Sequence, residues 1–484
     1  MATLADVVMP YFLFMVGASM AMSMRKYAGT ALLWKVIWRT VKLFVLGCVT
    51  QGADIFLGGE GVNLHTMRLP GILQRIAWAY LVVALMAMYL PKWGAKGVEW
   101  GSATSLWPKG GGHTTLFKFY IFHWLVALSF FAVYVCIMLF WTVPSWSYVV
   151  DARDSDMKCN ITGTTKTCTY THHPAVSHTI KCDIKGIDTK PFLGPECSAT
   201  RAVDEYLIGF SHMYGGGEFS RRPECSSCSP GKCPCSKEHP CPGGADGGAN
   251  AAVWCGGQLD PEGILSSVPT VLTTWIGMHY GNVLVAMSSH RQRLLHWTIM
   301  SSVLLVLGFI IDGLGIYPGW RMNKQTWSPS YLFFMAGCAG FSLSFMYCVF
   351  DLRIVNSAAV RGFQTASRGF FTPMRWVGLN TIFIYLFAPS GDVFYDIQRW
   401  VYIDNDERWN AVDTFHNYVM CKDPSPILSM KQPWTYEHNT LICHGGIFDG
   451  VKQKWVEVVW TLMRIAAWTL AAAWLHLIRW YWAL

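Results

Sequence analysis

Ionisable and amide side chains recur where the long apolar stretches of this chain begin or end, and a polar pocket inside a membrane is the chemistry such a pattern supports. Asp6 opens one stretch. Arg68-Leu69-Pro70-Gly71-Ile72-Leu73-Gln74-Arg75 opens a second, Asp260-Pro261-Glu262-Gly263 a third, and Asn323-Lys324-Gln325-Thr326-Trp327-Ser328 precedes a fourth. Asp312 and Asp392 close two more. Arg75 falls about five residues into its helix, roughly 7 Å below the entry point. A charge at that depth is costly unless it is paired or faces water. Asp6, Asp260, Glu262 and Asp312 are the available partners. Simpler roles stand beside this one. Asp260 followed by Pro261 makes a good helix cap. Arg75 and Lys324 could reach back to the interface, and Asn380 could bond a neighbouring helix. Polar positions converging on one side favour a shared cavity.

The elements that position them are membrane helices. Of the 484 residues, 52% are hydrophobic and only 14% charged. A soluble domain carries nearer ~25% charged residues. Twenty-four Trp fit two interfacial aromatic belts. Apolar stretches near 6–24, 33–51, 70–90, 119–142, 264–287, 297–316, 331–350, 374–391 and 456–482 approach the ~20 residues that a crossing helix needs. The first has no basic residue ahead of it and reads as a retained span, not a cleaved leader. The formal net charge of +8 is spread over short loops, which points to membrane orientation and away from nucleic acid.

Arg25 and Lys26, then Lys92 to Lys118, Arg291 and Arg293, and Arg353 to Arg375 follow the odd-numbered spans, so those loops face the cytosol. The expected fold is an all-α polytopic transmembrane helix bundle of about nine spans. Residues 1–142 hold four spans, 143–262 a Cys-rich extra-cytosolic loop, 263–391 four more spans, 392–455 a second outer loop, and 456–484 the last span and a cytosolic tail.

Cys159, Cys168, Cys182, Cys197, Cys225, Cys228, Cys233, Cys235, Cys241 and Cys255 fall in the first outer loop, with Cys421 and Cys443 in the second. Twelve Cys outside the cytosol read as a disulfide framework of undeducible pairing. Zinc at the Cys225–Cys241 run is the alternative, but the spacing fits no trusted module. Asn160-Ile161-Thr162 is a glycosylation sequon in the same loop, making the chain a candidate glycoprotein. No two His sit at ligand spacing on one helix, so no metal is expected; His279 reads as a core histidine and His123 as interfacial. No nucleophile elbow, P-loop or Rossmann fingerprint is present.

Leu4-Ala5-Asp6-Val7-Val8-Met9-Pro10-Tyr11-Phe12-Leu13-Phe14-Met15-Val16-Gly17 resembles the signature of the heparan-α-glucosaminide N-acetyltransferase family of transmembrane acyltransferases. Arg68 to Arg75, Asp260 to Leu265, Asn323 to Tyr331 and Gly378-Leu379-Asn380-Thr381 resemble further family motifs in the family's order. The Cys-rich loop is larger than the family pattern, and 392–455 is unmatched. The resemblance implies acetyl transfer from cytosolic acetyl-CoA to the terminal glucosamine of heparan sulfate, in a lysosomal or vacuolar membrane. It implies Gln74, Arg75, Asn323, Lys324, Trp327 and Asn380 as contacts for acetyl-CoA, with Asp6, Asp260 and Glu262 holding the cations.

The family's catalytic His lies in a lumenal segment after a first span and ahead of the Asp-containing one. Only Met1-Ala2-Thr3 precede the match here, so that role transfers to no residue; His65 is the nearest substitute by side. The expectation is therefore an incomplete version of an enzyme, or a catalytically inactive relative. Such a relative would serve as a structural subunit of a larger membrane complex, with other subunits or a second copy as partners. A transporter would show repeated halves around a midplane site; no duplication is visible. Disulfides would equally suit the plasma membrane or the outer face of the mitochondrial inner membrane.

Overall fold

The computed structural model describes residues 4–24, 29–51, 67–93, 113–141, 143, 198–209, 212–214, 259–313, 322–351, 358–387 and 453–481, with separate strands inside 146–180 and 434–443. His65, His172, His173, Asp392, Cys421 and Cys182 through Cys255 lie outside the described residues.

A 3-10 turn at Leu4–Val7 leads into α1 (Val8–Ser23), followed by α2 (Gly29–Gln51) and α3 (Ile72–Tyr89). Short α4 (His113–Phe119) precedes α5 (Ile121–Phe140), and α6 (Ala199–Ile208) lies in the first long loop. Then come α7 (Ile264–Ser267), α8 (Thr270–Ala286), α9 (His290–Gly313) and α10 (Pro329–Phe350). α11 (Ala358–Phe370), α12 (Thr372–Leu379), α13 (Thr381–Phe387) and the helix Gln453–Leu477 complete the helical part.

Four of these helices, α3, α5, α9 and α10, are long and apolar enough to cross a membrane. Their outward residues are apolar, as Ile299, Val303, Val306 and Ile310 on α9 show. Water would not tolerate such a stripe; lipid does. The chain is an integral membrane protein.

Two expected spans are interrupted. The 264–287 stretch breaks between α7 and α8 at Pro269, which has no amide hydrogen to donate. The 374–391 stretch breaks at Asn380, whose φ is −119° and ψ 28°. The two long loops also depart from the all-α expectation. Two-stranded antiparallel ribbons pair Trp146–Val150 with Val176–Ile180, Asp156–Thr162 with Thr165–Thr171, and Trp434–Glu437 with Thr440–Cys443. Their β-branched and aromatic content suits a pleated backbone, a signal outweighed in the sequence by cysteine spacing. Among the described residues, Cys48, Cys136, Cys338 and Cys348 carry free thiols, all within helices.

The chain divides into two units, Met1–Cys48 with Leu64–Ile354, and Val49–Asn63 with Val355–Leu484. In the first, α8 is the central post: residues Thr270 through Val283 are buried without interruption. It crosses α1 at very short range. A Cβ on Gly277 would land on the Phe14 carbonyl, and one on Gly17 on the Thr274 carbonyl. Small residues let helix backbones approach where there is no hydrophobic drive between them. α9 and α10 pack in the same way through Gly308, Gly337 and Gly340. In the second unit, Trp376 of α12 meets His476, and Phe383 of α13 meets Trp468.

Candidate functional site

Three stretches far apart in sequence meet at one end of the first unit. Asp260 is fully buried there. Arg68 grips it with a fork, donating from Nε to Oδ2 at 3.0 Å and from Nη2 to Oδ1 at 2.6 Å. The same Nη2 reaches Glu262 Oε2 at 2.7 Å. Asp260 also accepts from the Tyr214 amide at 3.0 Å and the Glu262 amide at 2.9 Å. The Arg68 guanidinium lies 4.7 Å over the Tyr214 ring. Burial opposes the Arg68 charge, but the hydrogen bonds and charges of the two carboxylates outweigh it and raise its pKa. Bidentate Arg–carboxylate pairs are among the stronger polar contacts.

Further along, inside α3, Arg75 is 2% exposed. It donates from Nε to Ser267 Oγ at 3.1 Å, and from Nη2 to the Pro261 carbonyl at 2.8 Å and to Ser266 Oγ. Its guanidinium lies 5.1 Å over the Trp327 ring. The expected partners Asp260 and Glu262 are thus engaged by Arg68, while Arg75 holds the α7 turn. Hydroxyls and a carbonyl satisfy its donors without burying a further charge.

The segment before α10 packs against the other side of Arg75. Trp327 is fully buried with a left-handed φ of 53°, a conformation that costs a non-glycine residue about 1 kcal/mol or more. Its Nε1 donates to Thr273 Oγ1 at 3.4 Å. Asn323 is used locally: its Oδ1 accepts from the Gln325 amide at 2.9 Å, and its own amide donates to Ser328 Oγ at 3.0 Å. Ser328 in turn caps α10, with Pro329 behind it. Asp312 accepts from the Met322 amide at 2.7 Å. Lys324 Nζ is 3.5 Å from Asp6 Oδ1, with side chains 37% and 24% exposed. Tyr331 donates to the Asp6 carbonyl at 2.5 Å.

Gln74 turns toward α2 and donates to Cys48 Sγ at 3.8 Å. Asn380 belongs to the second unit, is buried, and donates from Nδ2 to the Trp376 carbonyl of its own helical stretch at 3.4 Å. Among the described residues no group of three or more His, Cys, Asp or Glu could hold a metal ion.

Sequence reasoning missed Ser266, Ser267, Tyr214 and Asp204, and it took Arg68 only as a member of a motif. Asp204 had no signal at all. It lies on α6, fully buried, and accepts from the Leu265 amide at 3.1 Å. A Cβ on Gly263 would land on its carboxylate, so a larger residue there would displace Asp204. Burial, chiefly, and the nearby Asp260 push its pKa up from 3.8 to about 7, against the Leu265 and Ile264 amides and the Arg75 charge. The folded state therefore holds this proton more tightly than the unfolded chain. Its contribution is complete below about pH 4 and is lost as the pH rises toward about 7. Thermal unfolding in detergent should shift down by several degrees across that window, and Asp204→Asn should flatten that part of the profile.

The site couples buried ion pairs to a rim where Lys324, Asp6 and Glu262 reach solvent, an arrangement that can hold a charged ligand. No family model matches the chain. It is 23% identical over 403 residues to the heparan-alpha-glucosaminide N-acetyltransferase of Mus musculus, covering 79% of this chain and 47% of that protein. To the Homo sapiens protein of the same name it is 23% identical over 424 residues, covering 83% of this chain and 49% of the relative. The chain spans about half the length of the curated relatives it matches. It is a distant relative of these proteins and an integral membrane protein.

Proposed function

We propose that this chain moves an acetyl group from acetyl-CoA to an amino sugar across a polytopic membrane body. The observation that carries the reading is the Arg68–Asp260–Glu262 network set beside Arg75 and Trp327, in a chain distantly related to proteins named for this reaction. A buried, fully paired charge cluster next to a partly open rim provides fixed dipoles for a thioester carbonyl and a cation for phosphate. Lys324 is the more exposed cation at this end of the site. Arg75 and Trp327 flank the ligand, with Asn323 as a further contact. Asp6, Asp260 and Glu262 hold the cations.

The reading extends to nine spans, with the Asp260 end facing the lumen or cell exterior and the first long loop as a disulfide-bonded insert. A lysosomal or vacuolar membrane is its location.

Purified protein given acetyl-CoA and glucosamine should yield N-acetylglucosamine, read by mass spectrometry. Intact coenzyme A binding without turnover, together with stable co-purifying membrane subunits, would replace this reading by a structural one.

A further inference from the structure

Between Asp351 and Asp392 the chain carries Arg353, Arg361, Arg368 and Arg375 and no acidic residue. Helix α11 and the start of α12 occupy the middle of that stretch. Arg361 and Arg368 stand seven positions apart, as do Phe363 and Phe370. Seven residues are close to two helical turns, so each pair shares one side of α11. The pairs are offset by two residues, which puts the aromatic side roughly opposite the arginine side. Burial runs against what water would select. Gln364 and Ser367 are buried, while Phe370 is 78% exposed and Met374 65%. Arg368 and Arg375 beside them are exposed as well. A helix lying in a bilayer interface resolves this pattern, with aromatic groups at the acyl boundary and cations among the phosphates.

Chain length keeps α11 at such an interface. α10 is long and apolar enough to cross the membrane, and it ends at Phe350. α11 starts eight residues on, at Ala358, a step of at most about 28 Å for a fully extended chain. α10 begins beside Trp327 and Arg75, so α11 follows from its other end. We propose that α11 and the first turn of α12 form a binding surface for anionic phospholipid headgroups at the membrane face where α10 emerges. Arg368 and Arg375 meet the lipid phosphates, and Phe370 and Met374 enter the acyl boundary. Charge selects the partner. A zwitterionic surface offers these arginines little net attraction, whereas each cation near an anionic surface strengthens association about fivefold. The assignment stands apart from the acetyl-transfer reading.

The test reconstitutes the full chain into phosphatidylcholine vesicles carrying a trace of spin-labelled phosphatidylserine or spin-labelled phosphatidylcholine. Electron paramagnetic resonance reads the motionally restricted fraction of each. Wild type should prefer phosphatidylserine by about fivefold or more. The preference should vanish on raising salt from ~0.1 M to ~1 M, as the screening length falls from ~10 Å to ~3 Å. Arg368→Gln with Arg375→Gln should lose most of it, and each single change a part. Arg291→Gln with Arg479→Gln removes the same charge from two other exposed positions and should keep it. Equal restriction of the two lipids by wild type, or equal losses in the two double variants, would overturn the assignment.

Discussion

Arg68→Ala should be the most damaging single polar change in this protein, lowering unfolding free energy by about 3–5 kcal/mol, the cost typical of stranding one partner of a buried pair. The reason lies in what is left behind. Asp260 is fully buried and would lose both arms of the fork, while Glu262 would lose its cation. The Tyr214 ring would lose the guanidinium above it. Arg68→Lys keeps the charge but not the fork, so it should fall between wild type and Arg68→Ala. Arg68→Ala combined with Asp260→Asn should cost less than the sum of the two single changes, because the stranded charge is gone. Denaturant unfolding of detergent-solubilised protein reads all four. Equal stability of Arg68→Ala and wild type would show that the cluster is not a fixed part of the fold.

Gly277→Val should act through the backbone with a loss of about 3 kcal/mol or more, at or above the usual range for overpacking. Its side chain would occupy the place of the Phe14 carbonyl, which cannot rotate away. Helix α1 must then move off α8, taking with it the Asp6–Lys324 pair and the Tyr331 bond to the Asp6 carbonyl. Gly313→Ala meets no atom within 4 Å and should leave stability unchanged. The comparison is made by thermal unfolding and by the yield of monodisperse protein in size-exclusion chromatography.

The helices were legible because apolar length is a direct physical requirement of the bilayer. Four of the stretches read from hydropathy hold helices long and apolar enough to cross a membrane, and Ser328-Pro329 marks the start of α10 as capping chemistry demands. The gathering of Arg75, Trp327 and the Asp260 segment was legible because a buried guanidinium must find acceptors. Which acceptors it finds was not. Charge alone pairs Arg75 with Asp260, whereas the geometry of Pro261 and the 264–267 turn offers it a carbonyl and two hydroxyls. Tyr214 was hidden for a different reason. It stands 46 residues from the group it binds, in a loop whose cysteines dominate any reading of its composition. Asp204 is a charged residue on a short loop helix, and nothing local distinguishes it from a solvated one.

The Arg68–Asp260 contact also sets an order of events during synthesis. The two residues are 192 positions apart, with the long loop and α3 to α6 between them. A ribosome that has released Arg68 must make the whole intervening stretch before the carboxylate emerges, and closure of so large a loop is slow. Until then both arginines on this stretch lack their acceptors, and the early helices wait as an unfinished assembly exposed to quality control. Maturation of this protein is therefore gated by the arrival of its middle, and a chain truncated just before Asp260 should be retained and degraded even though its first helices are intact.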